Sequence, residues 1–105
     1  MFSILKNLFG QKDNSQLKES IKNGAILVDV RTPGEFSSGS VKSAINIPLN
    51  QLSSQISKLK NKKEIIVFCK SGGRSAQAKV ILEQNGFNNV INGGSYSNVN
   101  DVLNG

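Results

Sequence analysis

Short apolar runs recur along the chain, and their length and composition are those of buried strands. Residues 25–30 and 65–69 are nearly continuous runs of apolar residues, many of them β-branched. This pattern is typical of a strand buried on both faces, which has no alternation with solvent-facing positions. Residues 46–48 (Asn-Ile-Pro) are expected to close another short strand, residues 90–91 predict a last one, and the glycine pair at 93–94 is expected to break it.

The segments between these runs carry helix signals. Residues 32–35 read Thr-Pro-Gly-Glu, the order of a capping box with proline at the first helical position. Positions 52, 56 and 59 are apolar at helical spacing. Further helices are predicted after residues 13–15, over 75–82 and around 96–103. Because strands alternate with helices throughout, the sequence predicts an α/β domain whose parallel sheet is covered on both faces.

The chain divides into a short N-terminal segment and one domain. Residues 1–12 have apolar side chains at roughly helical spacing, which predicts an N-terminal tail or a short amphipathic helix. Docking on the domain, contact with a membrane surface or partner, and a disordered tail all remain open for this segment. Residues 13–105 are long enough for one modest hydrophobic core.

Composition narrows the possible functions. The chain has 13 Lys and Arg against 7 Asp and Glu, but only Arg31 and Arg74 are arginines, and aromatic residues are few. A nucleic-acid surface usually interleaves arginine with aromatic side chains, so none is expected, and attraction of small anions fits better. No apolar run approaches a transmembrane segment, and we expect a cytoplasmic protein. One cysteine and no histidine argue against an internal disulfide and a zinc centre.

The single cysteine, Cys69, lies where a predicted strand ends and a predicted helix begins. A lone cysteine is most often a small buried hydrophobe. Here it is followed by two glycines, Gly72 and Gly73, and by the cations Lys70 and Arg74. Such a loop can turn several N–H groups toward one point, and the helix N-terminus adds partial positive charge. We therefore expect a thiolate whose pKa lies below the usual cysteine range.

This loop resembles the active-site loop of single-domain rhodaneses, whose pattern is C-x-x-G-x-R-S. Three further stretches resemble the family in the expected order, and together the resemblance covers about residues 14–103. The four stretches are Cys69–Ser75, Leu27–Phe36 (LVDVRTPGEF), Ala44–Pro48 (AINIP) and Val90–Gly94 (VINGG). The resemblance implies a rhodanese-like three-layer α/β/α fold, with a central, mostly parallel sheet of about five short strands.

The same resemblance implies the chemistry. Cys69 would take the outer sulfur of thiosulfate or of a persulfide and pass it to cyanide or a thiol, with no cofactor and no metal. The substrate would be bound by the residues that follow, namely Lys70, Ser71, Gly72, Gly73, Arg74 and Ser75. A structural tie across the loop is the other role open to Arg74. Asp29, Arg31 and Glu35 are expected to form a buried or half-buried ion-pair network that supports the site.

Two other chemistries fit less well. Cysteine proteases and acyl-transfer enzymes need a histidine base, which this chain lacks. Tyrosine-phosphatase-like loops place five residues between cysteine and arginine, whereas four separate Cys69 from Arg74. A rhodanese-like docking or regulatory module, acting as a sulfur relay to a partner protein with little free turnover, remains the alternative.

The chain departs from the family pattern in three places. Residues 39–41 read Gly-Ser-Val where Gly-His-Ile is usual, and residues 42–44 read Lys-Ser-Ala where Pro-Gly-Ala is usual. The tryptophan that usually follows the second glycine pair is absent, and Tyr96 and Val99 lie nearby instead. These positions are expected to affect packing, the pocket rim and the choice of acceptor.

Overall fold

One parallel sheet organises the protein, whose computed structural model describes residues 14–105. The predicted tail or amphipathic helix at 1–12 lies outside the described residues. In spatial order the strands run β2-β1-β3-β4, and every neighbouring pair is parallel. They are β1 (Ile26–Asp29), β2 (Ile45–Asn46), β3 (Ile65–Cys69) and β4 (Val90–Ser95). Residues 14–105 thus hold four strands rather than about five, because the remaining apolar positions in them lie on helices and loops.

Helices cover both faces of the sheet, which confirms the predicted three layers. Successive residues of β3 point to opposite faces and all five are buried. Ile65, Val67 and Cys69 join a core with the helix at 73–84 and the 3₁₀ segments at 49–59, while Ile66 and Phe68 join a second core with the helices at 15–22 and 96–104. The helices are α1 (Ser15–Lys22), α2 (Pro33–Ser37), α3 (Gly73–Gln84) and α4 (Tyr96–Asn104). None of the helices within residues 14–105 is long and apolar enough to cross a membrane.

The apolar positions at 52, 56 and 59 lie on 3₁₀ helices rather than on one regular α-helix. The segment comprises η1 (Leu49–Gln51) and η2 (Ser53–Leu59), with a kink at Gln55. The Ser54 hydroxyl donates to the Gln51 carbonyl at 2.9 Å, a local bond that competes with helical backbone bonding. Leu52 and Leu59 are nevertheless fully buried, so the pattern identified the core positions correctly.

The helix boundaries follow the predicted signals closely. The capping box forms: the Glu35 N–H donates to Thr32 Oγ1 at 3.2 Å, and the Thr32 N–H donates to Glu35 Oε1 at 3.0 Å. Helix α3 ends before Asn85, and Gly86 has the positive φ that favours glycine there. Asn14 precedes α1 without a side-chain cap bond, and its amide instead pairs with that of Asn98 on α4 at 3.1 and 3.2 Å.

The expectation that glycines break the last strand is wrong. Strand β4 continues through Gly93 and Gly94 to Ser95, because a β-bulge accommodates them. Val67 pairs with Asn92 and Phe68 with Gly94, so Gly93 is the extra residue. A Cβ at Gly93 would lie 2.7 Å from Val99 Cγ2 and 3.0 Å from Ile66 Cγ2. Glycine here lets α4 pack directly on the sheet.

We predict that Gly93→Ala destabilises the protein by about 1–3 kcal/mol, since the methyl group overpacks the core between β4 and α4. The free energy of unfolding would be measured by urea denaturation. Gly34→Ala is the matched control, because no atom other than those of its chain neighbours and the backbone of its own helix lies within 4 Å of its Cβ position. A Gly93→Ala protein as stable as the Gly34→Ala protein would contradict this account of the bulge.

Candidate active site

The turn after β3 brings the predicted loop residues around Cys69. Strand β3 ends at Cys69 and α3 begins at Gly73, so only three residues connect them. Gly72 adopts a left-handed conformation with φ of +102°, which a residue with a side chain rarely adopts. This conformation lets the chain reverse quickly enough for the helix N-terminus to face the sulfur.

The cysteine sulfur lies inside the loop and receives its hydrogen bonds from it. The Gly72 N–H donates to Sγ at 2.9 Å, and Ser75 Oγ lies 3.5 Å from Sγ. Cys69 is only 1% exposed, and Ser75 is fully buried. Lys70, Ser71 and Gly73 are exposed at the surface of the same loop.

Two opposing effects set the pKa of the Cys69 thiol. Burial raises this pKa, because the charged thiolate loses contact with water. Hydrogen bonds to the ionised sulfur lower it: the Ser75 hydroxyl accepts from the thiol but can donate to the thiolate, and the N–H groups of Ser75, Gly72 and Ser71 act in the same direction. The hydrogen bonds prevail, and the pKa of Cys69 falls below its ordinary value of 9.0. The expected direction is confirmed, and Ser75 adds a hydroxyl to the predicted amides.

Arg74 is held by a carboxylate on the neighbouring helix. Its Nη1 and Nη2 donate to Glu35 Oε1 at 2.7 Å and Oε2 at 3.0 Å, a two-pronged ion pair between α3 and α2. Both side chains are about one-third exposed, at 35% and 31%. The hydrogen bonds from Arg74, with those from Thr32, lower the pKa of Glu35 from 4.5 to about 2. Arg74 therefore has the geometry of the structural tie across the loop.

Asp29 and Arg31 form a separate, buried ion pair. Arg31 Nε lies 3.0 Å from both carboxylate oxygens of Asp29, and Nη2 donates to Oδ2 at 2.8 Å. Ser40 Oγ donates to the same Oδ2 at 2.7 Å. The Arg31 guanidinium also lies over the Tyr96 ring, 4.3 Å from its centroid. The three residues expected in one network thus fall into two pairs, because Glu35 points to Arg74 instead.

Several polar residues of the site were not predicted from the sequence. Asn92 Oδ1 accepts from Ser75 Oγ at 2.7 Å, and Asn46 Nδ2 donates to the backbone carbonyls of Asp29 and Arg31 at 2.9 Å. Ser40 and Tyr96 depart from the family pattern, and this departure was the only sequence feature that pointed to a role for them in the site. Asn46 and Asn92 lie in stretches that resemble the family, but their partners could not be predicted, because the sequence does not reveal which strand ends become neighbours.

An apolar cleft of about 320 Å³ opens beside Arg74 at the same edge of the sheet. Its lining residues are Val30, Thr32, Pro48, Leu49, Asn50 and Arg74. A groove of about 340 Å³ on the α1 and α4 side contains no residue of the Cys69 loop. Within residues 14–105, no three acidic or cysteine side chains cluster closely enough to hold a metal ion.

We predict that Asp29→Asn destabilises the protein by about 3–5 kcal/mol, because the substitution leaves the buried Arg31 charge without its partner. Asp101→Asn, an exposed position on α4, is the matched control. Urea denaturation of both variants would measure the effect. Equal stability of the two variants would show that the buried pair contributes little.

The Glu35–Arg74 pair makes stability depend on pH in the acid range. The folded-state pKa of Glu35, about 2, lies below its ordinary value of 4.5. The stabilisation is therefore present above about pH 4.5 and is lost as the pH falls toward 2. We predict that wild type is more stable than Glu35→Gln at pH 7 and that the two converge near pH 2. A difference that does not change with pH would contradict the ion pair as its source.

Sequence and structure comparisons agree with this geometry. A family model of the rhodanese-like domain matches residues 13–100. The chain is 34% identical over 67 residues to a sulfurtransferase of Allochromatium vinosum, an alignment that covers 64% of this chain and 63% of that protein. It is 35% identical over 74 residues to the thiosulfate sulfurtransferase PspE of Escherichia coli, covering 69% of this chain and 71% of that protein.

A comparison with solved structures also finds a rhodanese fold. A rhodanese with anions from Escherichia coli matches with a TM-score of 0.66 and 34% identity, covering 71% of this chain and 91% of that chain. The chain spans just under two thirds of the length of the Allochromatium relative, at 63%. Since the family model covers most of the chain and the folds agree, this protein belongs to the rhodanese-like domain family.

Proposed function

We propose that this protein is a cytoplasmic sulfurtransferase, which moves a sulfane sulfur from thiosulfate or a persulfide to cyanide or a thiol through a persulfide on Cys69. One observation carries the proposal: the buried Sγ accepts the Gly72 N–H at 2.9 Å at the start of α3, in a chain without histidine. A thiolate stabilised by backbone amides needs no histidine base. It suits attack on sulfur, where the leaving group departs as a stable anion.

The first half-reaction transfers a sulfur atom to Cys69. The Cys69 thiolate attacks the outer sulfur of thiosulfate, the sulfur–sulfur bond of the donor breaks, and sulfite leaves with the electron pair. The new Cys69 persulfide carries the negative charge on its outer sulfur. The N–H groups of the loop, which already converge on Sγ, stabilise this anion electrostatically.

The second half-reaction transfers the outer sulfur of the Cys69 persulfide to the acceptor. Cyanide or a thiolate attacks the outer sulfur, the persulfide bond breaks, and the electron pair returns to Cys69 as thiolate. Thiocyanate or a new persulfide is the product. No redox partner is needed, because the sulfur atom moves between nucleophiles without net oxidation of the protein.

The exposed side of the loop suits an anionic donor. Lys70 and Ser71 lie at the surface beside the buried sulfur, and Lys70 attracts the sulfonate end of thiosulfate. The N–H groups of residues 70–75 complete the binding loop. Arg74 contributes mainly by fixing the start of α3 through Glu35, and it also lines the cleft of about 320 Å³. The apolar wall of this cleft fits an acceptor thiol with an apolar body.

The near-complete burial of Cys69 favours a second candidate, a docking or regulatory module that relays sulfur to a partner protein. A cysteine residue that is 1% exposed is poorly accessible to free small molecules. A partner that opens the loop would then be required for transfer. The two candidates differ in turnover with small substrates alone.

We predict that incubation with thiosulfate adds the mass of one sulfur atom to the wild-type protein and none to Cys69→Ala. The added sulfur should disappear when cyanide is supplied, with formation of thiocyanate. Intact-protein mass spectrometry and a thiocyanate assay measure the two steps. Cys69→Ala should keep its fold, which circular dichroism would check.

The outcomes separate the candidates. Repeated thiocyanate formation supports the enzyme, whereas one loading without turnover supports the relay module. Loading of the Cys69→Ala protein, or no loading of wild type by thiosulfate or by a persulfide, would overturn the proposed chemistry.

A further inference from the structure

A chain of polar contacts runs behind Cys69, away from the loop amides. Ser75 Oγ lies 3.5 Å from Cys69 Sγ, 3.0 Å from the Gly72 carbonyl oxygen and 2.7 Å from Asn92 Oδ1. Ser75 belongs to α3 and Asn92 to β4, so this chain links the cysteine to the next strand of the sheet. The function proposed above makes no use of Asn92.

The orientation of the Asn92 amide is fixed by a second contact. The Gly94 N–H donates to Asn92 Oδ1 at 2.9 Å, and a backbone N–H can only donate. The atom facing Gly94 is therefore the carbonyl oxygen, not the amide nitrogen. Because Ser75 meets the same oxygen, its hydroxyl must donate to Asn92.

The number of available protons decides which atom donates in each of these hydrogen bonds. The Ser75 hydroxyl has one proton, and the Gly72 carbonyl and Asn92 Oδ1 can only accept it. The contact with Asn92 is the shorter of the two, by 0.3 Å from the distances above. Ser75 therefore turns an oxygen lone pair toward the sulfur, and the Cys69 S–H donates to it. All of these hydrogen bonds can form when the cysteine is a thiol. The bond from Cys69 to Ser75 is lost when the cysteine ionises, because the S–H proton is gone.

We propose that Asn92 is a positioning residue, which holds the Ser75 hydroxyl proton away from the cysteine sulfur and so favours the resting thiol over the thiolate. When the thiol proton leaves to solvent, Ser75 can donate to the anionic sulfur only by giving up its bond to Asn92. The Gly72 N–H stays in place in both states. The role of the Asn92–Ser75 hydrogen bond in turnover rests on the proposed sulfur transfer. Its effect on the ionisation of the thiol does not depend on that proposal.

The charges around Cys69 are accounted for by other contacts. Arg74 on α3 is paired with Glu35 on α2, and Asp29 at the end of β1 is paired with Arg31. Lys70 is exposed and adjacent in the chain, and Tyr96 on α4 lies against Arg31. The Asn92 side chain bonds to Ser75 and to the Gly94 N–H, not to these side chains. The neutral Ser75–Asn92 contact can therefore be tested separately from them.

Asn92→Ala should make Cys69 more reactive at acid pH, because Ser75 loses its shorter acceptor, keeps only the 3.0 Å contact with the Gly72 carbonyl, and donates more readily to the thiolate. The probe is alkylation of the reduced, unsulfurated full chain by iodoacetamide across a pH series, followed by intact mass. At pH 6 we expect the variant to react about threefold faster, the effect of one modest hydrogen bond gained by the thiolate. At high pH, where both proteins are ionised, the rates should converge. Asn88→Ala, an exposed asparagine on the loop before β4, should match wild type.

Asn92→Ala in a Ser75→Ala background tests whether Asn92 acts on the cysteine through the Ser75 hydroxyl. If Asn92 acts through the Ser75 hydroxyl, Asn92→Ala has no effect on the rate once that hydroxyl is gone. A persistent effect would show that Asn92 acts through the Gly94 backbone, and it would overturn the proposal. An Asn92→Ala rate at pH 6 equal to or below that of wild type would overturn it as well.

Asn92→Asp provides a test that is independent of how well the alanine variant folds. The aspartate keeps an acceptor toward both Ser75 and Gly94 and holds the Ser75 proton more strongly, so alkylation at pH 6 should be slower than in wild type. A faster reaction would contradict the proposal. No sulfur donor is present in these assays, so their outcome does not depend on whether the protein transfers sulfur.

Discussion

The ion pair between Asp29 and Arg31 fixes the edge of the sheet at which the cysteine lies. Two charges removed from water are costly unless their polar atoms find partners. Here the carboxylate accepts from the Arg31 backbone and side chain and from Ser40. The guanidinium in turn donates to the Gly39 carbonyl at 2.7 Å and covers the Tyr96 ring. The pair therefore joins the end of β1 to the segment after α2 and to α4, and so gives the site a rigid floor.

The cysteine loop shows the same balance between burial and hydrogen bonding. Burial alone would keep Cys69 as an unreactive thiol. The left-handed Gly72 turns its N–H onto the sulfur, and the start of α3 brings further N–H groups. A loop without histidine can thus favour a thiolate by geometry. The cations that looked important in the sequence have other contacts or positions: Arg74 is tied to Glu35, and Lys70 faces solvent.

The sequence predicted what depends on local pattern and left out what depends on tertiary contacts. The apolar run at 65–69 predicted β3, and the order Thr-Pro-Gly-Glu predicted the start of α2. The role of Gly93 was misjudged, because its neighbours Val99 and Ile66 are defined only when α4 packs on the sheet. The partner of Glu35 was misassigned for the same reason, since Arg74 lies 39 positions later in the chain. Asn92 could not be identified as a partner of Ser75 before the register of β4 was known.

The bulge at Gly93 also protects the protein from unwanted association. Among the described residues, β4 is the outermost strand beyond β3, and an exposed strand edge can recruit a strand from another molecule. An extra residue bends and twists the strand locally, so the N–H and C=O groups along its outer edge no longer form an even row. At the opposite edge, β2 is only two residues long. Both borders of this small sheet are therefore poor templates for the stacked intermolecular β-structure of aggregates.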